Sequence, residues 1–252
     1  MRDAWLDLLL GSSCGVCGLP GRVLCHLCAS SLPRSASVAW PTPCPPGLAL
    51  PVAAGRYDGG LKVLVNAHKE RRQFSLAKPL GVVLAGSVSK LLELSEWEPP
   101  GDCVLVPIPS RGRVVRARGH DPMLRVSRHA AALLRRWGHP AVVERLVRNA
   151  SVAQDQAGLG AGERAANLAG SMRCATRAVA RRRARTTSAR LVVVDDVLTT
   201  GATAREAQRA LEEEGGMRVV GVATVAATSR RVPVSVAMTG PWCSLPFSGF
   251  EG

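Results

Sequence analysis

Aromatic side chains are scarce in this chain. They make up 4% of its 252 residues, with five Trp, three Phe and one Tyr. That leaves few rings on which the bases of a nucleic-acid strand can stack, and it gives the core to Val, Leu and Ala. Lysine is scarce as well: nearly all of the 33 basic residues are Arg, against 19 acidic ones, for a net charge of +14. Such a surplus favours anionic partners, whether nucleotide, nucleic acid or anionic membrane surface, and guanidinium groups suit planar recognition of phosphate. Apolar runs of the roughly 18–20 residues that span a bilayer are missing, so no membrane insertion is expected. The opening apolar stretch carries Asp3 and Asp7, which argues against a signal peptide; residues 3–10 read as a short amphipathic helix. There is no internal repeat. The expected location is cytoplasmic, where eight cysteines imply thiols or metal ligands rather than disulfides.

Four of those cysteines have metal-ligand spacing. Cys14-x-x-Cys17 and Cys25-x-x-Cys28 form two knuckles separated by seven residues, with Gly15, Gly18 and Gly21 in or beside them. Two close pairs present four thiolates at tetrahedral distance, and glycines permit the tight turns. A redox CxxC pair is the competing reading. Two pairs together, without a thioredoxin-like βαβ context, favour a structural Zn²⁺ with no open position. His26, inside the second pair, reads as a surface residue. Cys44 lies in a Pro-rich linker, Cys103 opens an apolar strand and belongs to the core, and Cys174 and Cys243 are isolated.

The chemistry concentrates in the run Leu191-Val-Val-Val-Asp195-Asp196-Val-Leu-Thr199-Thr200-Gly201-Ala202-Thr203. Its apolar start suits a central parallel strand covered on both faces. Asp195 and Asp196 fall at the carboxyl end, where open α/β sheets bind ligands. The turn Thr199, Thr200, Gly201, Ala202, Thr203 has no bulky side chain, so its amides can close around a phosphate at a helix N-terminus. Carboxylates beside a phosphate describe a sugar-phosphate site: they accept from ribose hydroxyls or hold Mg²⁺ through water.

Along the chain, residues 1–32 form the four-cysteine module, 33–47 a Pro- and Ser-rich linker, 48–228 an α/β domain and 229–252 a C-terminal tail. Strands are expected near 49–57, 103–109, 142–147, 191–196 and 218–226. Helices are expected near 60–70, 75–94, 122–137 and 203–214, with a possible one at 162–168. Strands alternating with helices favour a parallel sheet. Two Arg-rich segments stand out. Arg111 to Arg118 follows the strand end Val106-Pro-Ile-Pro109 and so shares the carboxyl edge with Asp195; it reads as a pyrophosphate-binding or a solvated loop. Residues 177–190 precede the Asp195 strand, lie at the opposite edge, and read as a solvated connector or nucleic-acid contact.

The 191–203 run resembles the PRPP-binding motif of type I phosphoribosyltransferases. Over about residues 14–228 the chain resembles the ComF family of competence-related, phosphoribosyltransferase-like proteins. The resemblance rests on the paired CxxC knuckles, Tyr57-Asp-Gly59, Lys69 in Ala67-His-Lys-Glu and Val106-Pro-Ile-Pro109. It continues through Arg118-Gly119, Gln156-Ala-Gly-Leu159, Arg164, Asn167 and the Asp195–Thr203 run. It implies a type I phosphoribosyltransferase-like parallel sheet flanked by helices, with an N-terminal zinc-ribbon-like module. It also implies a role in handling incoming single-stranded DNA during natural transformation, and if the chain acts by binding, the zinc module would contact DNA or a DNA-uptake helicase.

Under an enzyme reading, Thr199–Thr203 cradle the 5-phosphate of PRPP, while Asp195 and Asp196, with Mg²⁺, hold the ribose and stabilise an oxocarbenium-like state. Arg111 or Arg118 holds the leaving pyrophosphate, and Gln156 and Arg164 belong to a hood that excludes water. Under the alternative reading the chain is a non-catalytic single-stranded DNA-binding factor that uses the Arg-rich surface and the zinc module. Two departures from the family pattern are visible. Its usual Arg-Gly-Phe-Asn-Gln is here Arg118-Gly119-His120-Asp121-Pro122, which adds a negative charge beside the expected pyrophosphate site. An aromatic usual near Gly170-Ser171-Met172 is absent.

Overall fold

Leu191 to Val194 have no polar side chain to keep in water, and in the computed structural model they lie at the centre of a sheet with Val192, Val193 and Val194 fully buried. The structure describes residues 13–71, 73–95, 101–110, 121–150, 170–185 and 189–228. Among these, eight strands are formed: β1 (Ser37–Val38), β2 (Pro51–Arg56), β3 (Cys103–Pro107), β4 (Ala141–Val143), β5 (Val147–Asn149), β6 (Met172–Cys174), β7 (Arg190–Leu198) and β8 (Val219–Ala227). The main sheet has the order β1-β2-β8-β7-β3-β4. All of its pairs are parallel except β1 with β2. Parallel pairing brings the carboxyl ends of β2, β8, β7 and β3 to one edge, which fixes where a ligand site can be built.

The helices among the described residues are α1 (His26–Ser30), α2 (Gly59–Glu70), α3 (Ala77–Leu94), α4 (Pro122–Arg136), α5 (Thr176–Arg185) and α6 (Ala202–Arg209), the last continued by a π turn, Ala210–Glu214. Residues of α2, α3 and α4 form one core layer with Val52, Leu105, Val192 and Val194. Residues of α5 and α6 form the other with Val104, Val106, Leu191 and Val193. Each buried Val or Leu is worth roughly 1.5–3 kcal/mol, so the two layers supply most of the drive to fold. The chain is thus α/β, with a mostly parallel six-strand sheet flanked by helices and an N-terminal Cys cluster.

Against the expectation of no apolar run long enough to span a bilayer, residues Phe74–Leu94 have the length and hydropathy of one; most of the segment is buried inside the protein. Leu84, Val88 and Leu91 of α3 are fully buried. It is a core helix.

Three expectations need correction. The strand expected at 142–147 is two strands in two sheets. β4 extends the main sheet, whereas β5 pairs antiparallel with β6. Between them Glu144 reaches an arginine and Leu146 is fully buried, which turns the chain from one sheet to the other. The segment 177–190, expected as a solvated connector or a nucleic-acid contact, carries helix α5, and its Arg182 is 1% exposed rather than solvated. Arg182 Nη1 lies 2.6 Å from Asp102 and Nη2 lies 2.7 Å from Glu144, so two carboxylates offset the desolvation of the guanidinium. Finally, β7 runs through the acidic pair to Leu198 rather than ending at Asp196, because Val197 and Leu198 still pair with Ala226 and Ala227. The expected helices at 3–10 and 162–168, Cys243 and the tail 229–252 lie outside the described residues.

Candidate functional site

The carboxyl edge is organised around β7 and α6. After Leu198 the chain makes a short turn, and Gly201 caps α6 with φ +73°, a left-handed conformation that disfavours side chains. Space demands glycine there too. A Cβ at this position would stand 3.0 Å from Leu48 and 3.1 Å from Pro41. The Pro-rich segment is therefore a strap across the turn rather than a free connector. Arg205 Nε donates to Pro46 O at 3.0 Å, Gln208 Nε2 donates to Gly47 O at 3.0 Å, and the Ala49 amide donates to Gln208 Oε1 at 2.9 Å. Cys44 is half-buried in this strap.

At the turn itself, Thr200 Oγ1 accepts from the Ala202 amide at 3.4 Å, and the Arg205 amide donates to Gly201 O at 2.8 Å as the first helical bond. The amides of the first turn of α6 have no intrahelical acceptor, as at any helix start, and the helix dipole adds partial positive charge there. Thr199 is exposed; Thr200, Ala202 and Thr203 are partly so. This is a short, glycine-shaped, anion-competent turn directly after two carboxylates.

The carboxylates are not a symmetrical pair. Lys69, in the last turn of α2, places Nζ 2.8 Å from Asp196 Oδ2. The Asp196 amide donates to Asp195 Oδ1 at 2.9 Å. Burial and then the neighbouring Asp196 charge push the Asp195 carboxyl well above the usual range, to about 8, against the pull of Lys69. Lys69 thus serves two acids, and a divalent cation or a pair of ribose hydroxyls would relieve the excess negative charge.

The spacing of Asp195, Asp196 and the Thr199–Thr203 turn is legible in the sequence. Lys69 enters there only as part of a family pattern, and its salt bridge spans too many residues for any local signal to reveal it. Asn149 was missed: its Nδ2 donates to Ser110 O at 2.9 Å and Pro109 O at 3.4 Å, tying β5 to the loop that follows β3. Arg111, Arg118, Gln156 and Arg164 lie outside the described residues. Asp121 has a structural use. It caps α4, with Oδ1 accepting from the Leu124 amide at 3.2 Å and Pro122 in the first turn, and its Oδ2 lies 3.8 Å from Arg145.

At the N-terminus, the Sγ atoms of Cys14, Cys17, Cys25 and Cys28 all lie within 4.8 Å of one another, a set that can hold a metal such as zinc. Gly18 at φ +75° and Gly21 at φ +110° supply the left-handed turns of the first knuckle, and Cys25 caps α1. Burial opposes ionisation of Cys14, but backbone donors from Cys25, Cys17 and Val16 outweigh it and bring that thiol down to about 6. A hydrogen bond with Cys25, then burial, pushes Cys28 up to about 12. Without metal the four sulfurs cannot all ionise; a cation among them removes that conflict. His26 is exposed, as expected for a residue outside the ligand set. Cys103, pushed up to about 12 by desolvation, is an inert core thiol.

Compared with protein-family models the sequence gives no match, and no curated protein matches it either.

Proposed function

We propose that the chain binds PRPP at the carboxyl edge of β7 and transfers its phosphoribosyl group, as a type I phosphoribosyltransferase-like protein of the ComF kind. The observation that carries this reading is the conjunction of Asp195 and Asp196, the Lys69 counter-ion, and the glycine-shaped turn at the start of α6. In this reading the α6 amides with Thr199, Thr200 and Thr203 hold the 5-phosphate. Asp195 and Asp196 accept from the ribose hydroxyls. The negative charge of the acidic pair stabilises the cationic anomeric carbon as its bond to pyrophosphate breaks. Asp195 and Asp196 would hold Mg²⁺, which would supply charge neutralisation for the pyrophosphate. Lys69 orients Asp196 through their salt bridge. The four-cysteine cluster holds a structural zinc.

Titration calorimetry with PRPP and Mg²⁺ tests the reading. Micromolar binding is expected, weakened at least about tenfold in Asp195→Asn/Asp196→Asn, since each lost charged hydrogen bond costs roughly 1.5–3 kcal/mol. No heat at millimolar PRPP would sink it. A second reading, binding of single-stranded DNA delivered by an uptake helicase, draws support from Arg177, Arg181, Arg183 and Arg185, which are all exposed on or at the end of α5.

A further inference from the structure

Thr224, in β8, is fully buried, and its Oγ1 has no hydrogen-bond partner among the described residues. Valine fills the same space without an unmet hydrogen bond, so an unpaired core threonine is a cost that its surroundings must explain. Its backbone is fixed: Ser87 Oγ, itself fully buried on α3, donates to Thr224 O at 2.8 Å. Strand register shows what the hydroxyl stands beside. Thr224 is the aligned partner of Asp195 on β7 and of Ala53 on β2. Val193 and Val222, two residues earlier on β7 and β8, are also aligned and belong to one core layer. Side chains alternate with a period of two along a strand, which puts Asp195 and Thr224 together on that face, roughly 4.8 Å apart along the sheet. Around Thr224 in the sheet, Ala53, Val193, Val222 and Ala226 have no polar side-chain atom, whereas Asp195 has a carboxylate. Asp195 Oδ1 accepts from the Asp196 amide at 2.9 Å, and Lys69 forms its salt bridge with Asp196.

We infer that Thr224 is a positioning residue for Asp195: when Asp195 takes up the ribose hydroxyls, the Thr224 hydroxyl donates to Asp195 Oδ2 and holds that carboxylate in place. Rotation about the Thr224 Cα–Cβ bond moves the hydroxyl among its staggered positions, so the bond forms without moving the backbone that Ser87 fixes. Thr224 is sealed in the sheet and touches no substrate; it acts through Asp195. The inference rests on the reading of Asp195 as a ribose-holding acid. A hydrogen bond made only in the filled site stabilises that form alone, so its effect falls on affinity and not on folding.

Calorimetry with PRPP and Mg²⁺ on the intact, zinc-loaded chain tests it, with Thr224→Val as the isostere and Thr224→Ser as the variant that keeps the hydroxyl. Thr224→Val is expected to weaken PRPP binding about tenfold, the loss of one hydrogen bond to a charged group. Thr224→Ser should recover most of that affinity. The same Thr224→Val is then made in an Asp195→Ala background, where Asp196 and the Thr199–Thr203 turn still hold PRPP. There it should change affinity less than about twofold, because the group it positions is gone. In thermal unfolding without PRPP, Thr224→Val should melt no lower than the wild type, since no bond is lost. Equal PRPP affinity of the wild type and Thr224→Val overturns the inference and leaves Asp195 in its ribose role. A loss that persists undiminished in the Asp195→Ala background, that Thr224→Ser does not recover, or that comes with a lower melting temperature makes Thr224 a packing residue of the sheet and also overturns it. If the wild type takes up no PRPP at all, the phosphoribosyl reading fails and the inference falls with it.

Discussion

Asp195 carries the least favourable charge at the site. Its carboxyl is desolvated, sits beside Asp196, and shares the cation Lys69 with it. With its titration raised from 3.8 to about 8, the folded chain holds a proton that the unfolded chain has released between those values. The unfolded state then binds fewer protons, so the stability contributed by this group is full at low pH and is lost as pH rises through the window. A neutral isostere escapes that loss. Asp195→Asn should therefore melt at the same temperature as the wild type near pH 4 and above it at pH 8, by the equivalent of roughly 1–2 kcal/mol, in thermal unfolding without added Mg²⁺. An unchanged or lower melting temperature at pH 8 would show that the carboxylate is not strained. The same substitution is expected to weaken PRPP binding, so stability and ligand affinity move in opposite directions at one residue.

Elements that announce themselves by pattern were legible, and those made by distant partners were not. The Val-rich run, the small-residue turn Thr199–Thr203 and the CxxC spacing point to β7, the start of α6 and the four-cysteine cluster directly, because each is fixed by neighbours in sequence. Met172-Arg173-Cys174 has too few residues to show a period, and β6 exists because α6 and its π turn hold it. The Met172 amide donates to Glu206 Oε1 at 3.0 Å, Arg209 Nη2 donates to Met172 O at 3.0 Å, and the Cys174 amide donates to Glu214 Oε2 at 3.1 Å. Arg182 likewise looks like its neighbours in an Arg run. Successive helical residues point about 100° apart, and only Asp102 and Glu144, remote in sequence, decide which guanidinium turns inward. The buried Glu206 is the pivot of the β6 attachment, since Arg209 also pairs with it at 2.8 Å. Glu206→Ala should cost about 2–3 kcal/mol in urea unfolding, below the usual cost of a fully buried pair because Arg209 is partly exposed. Glu206→Gln, which keeps an acceptor for the Met172 amide, should cost clearly less; equal losses would mean that the charge alone matters.

Across the whole molecule, the four-cysteine module is part of the main core. Val16, Val23, Leu24 and Leu32 pack against the layer that contains α2, α3 and α4. A Cβ at Gly60, at the start of α2, would stand 3.2 Å from Val16, and one at Gly15 would stand 3.2 Å from Gln73 Oε1. The same helix α2 ends at Lys69 on Asp196. A metal held at the four sulfurs would thus be connected through helix α2 to the acidic pair and would hold the turns of the knuckles. Stripping the metal should release the four partly buried side chains, roughly 1 kcal/mol each. A combined loss of about 4 kcal/mol lowers the melting temperature by roughly 8–16 °C. Scanning calorimetry before and after chelation should show one cooperative transition moving down as a unit, with PRPP affinity falling in parallel. A small separate transition beside an unshifted main peak, with affinity intact, would mean instead that the knuckles fold and unfold independently of the sheet they rest on.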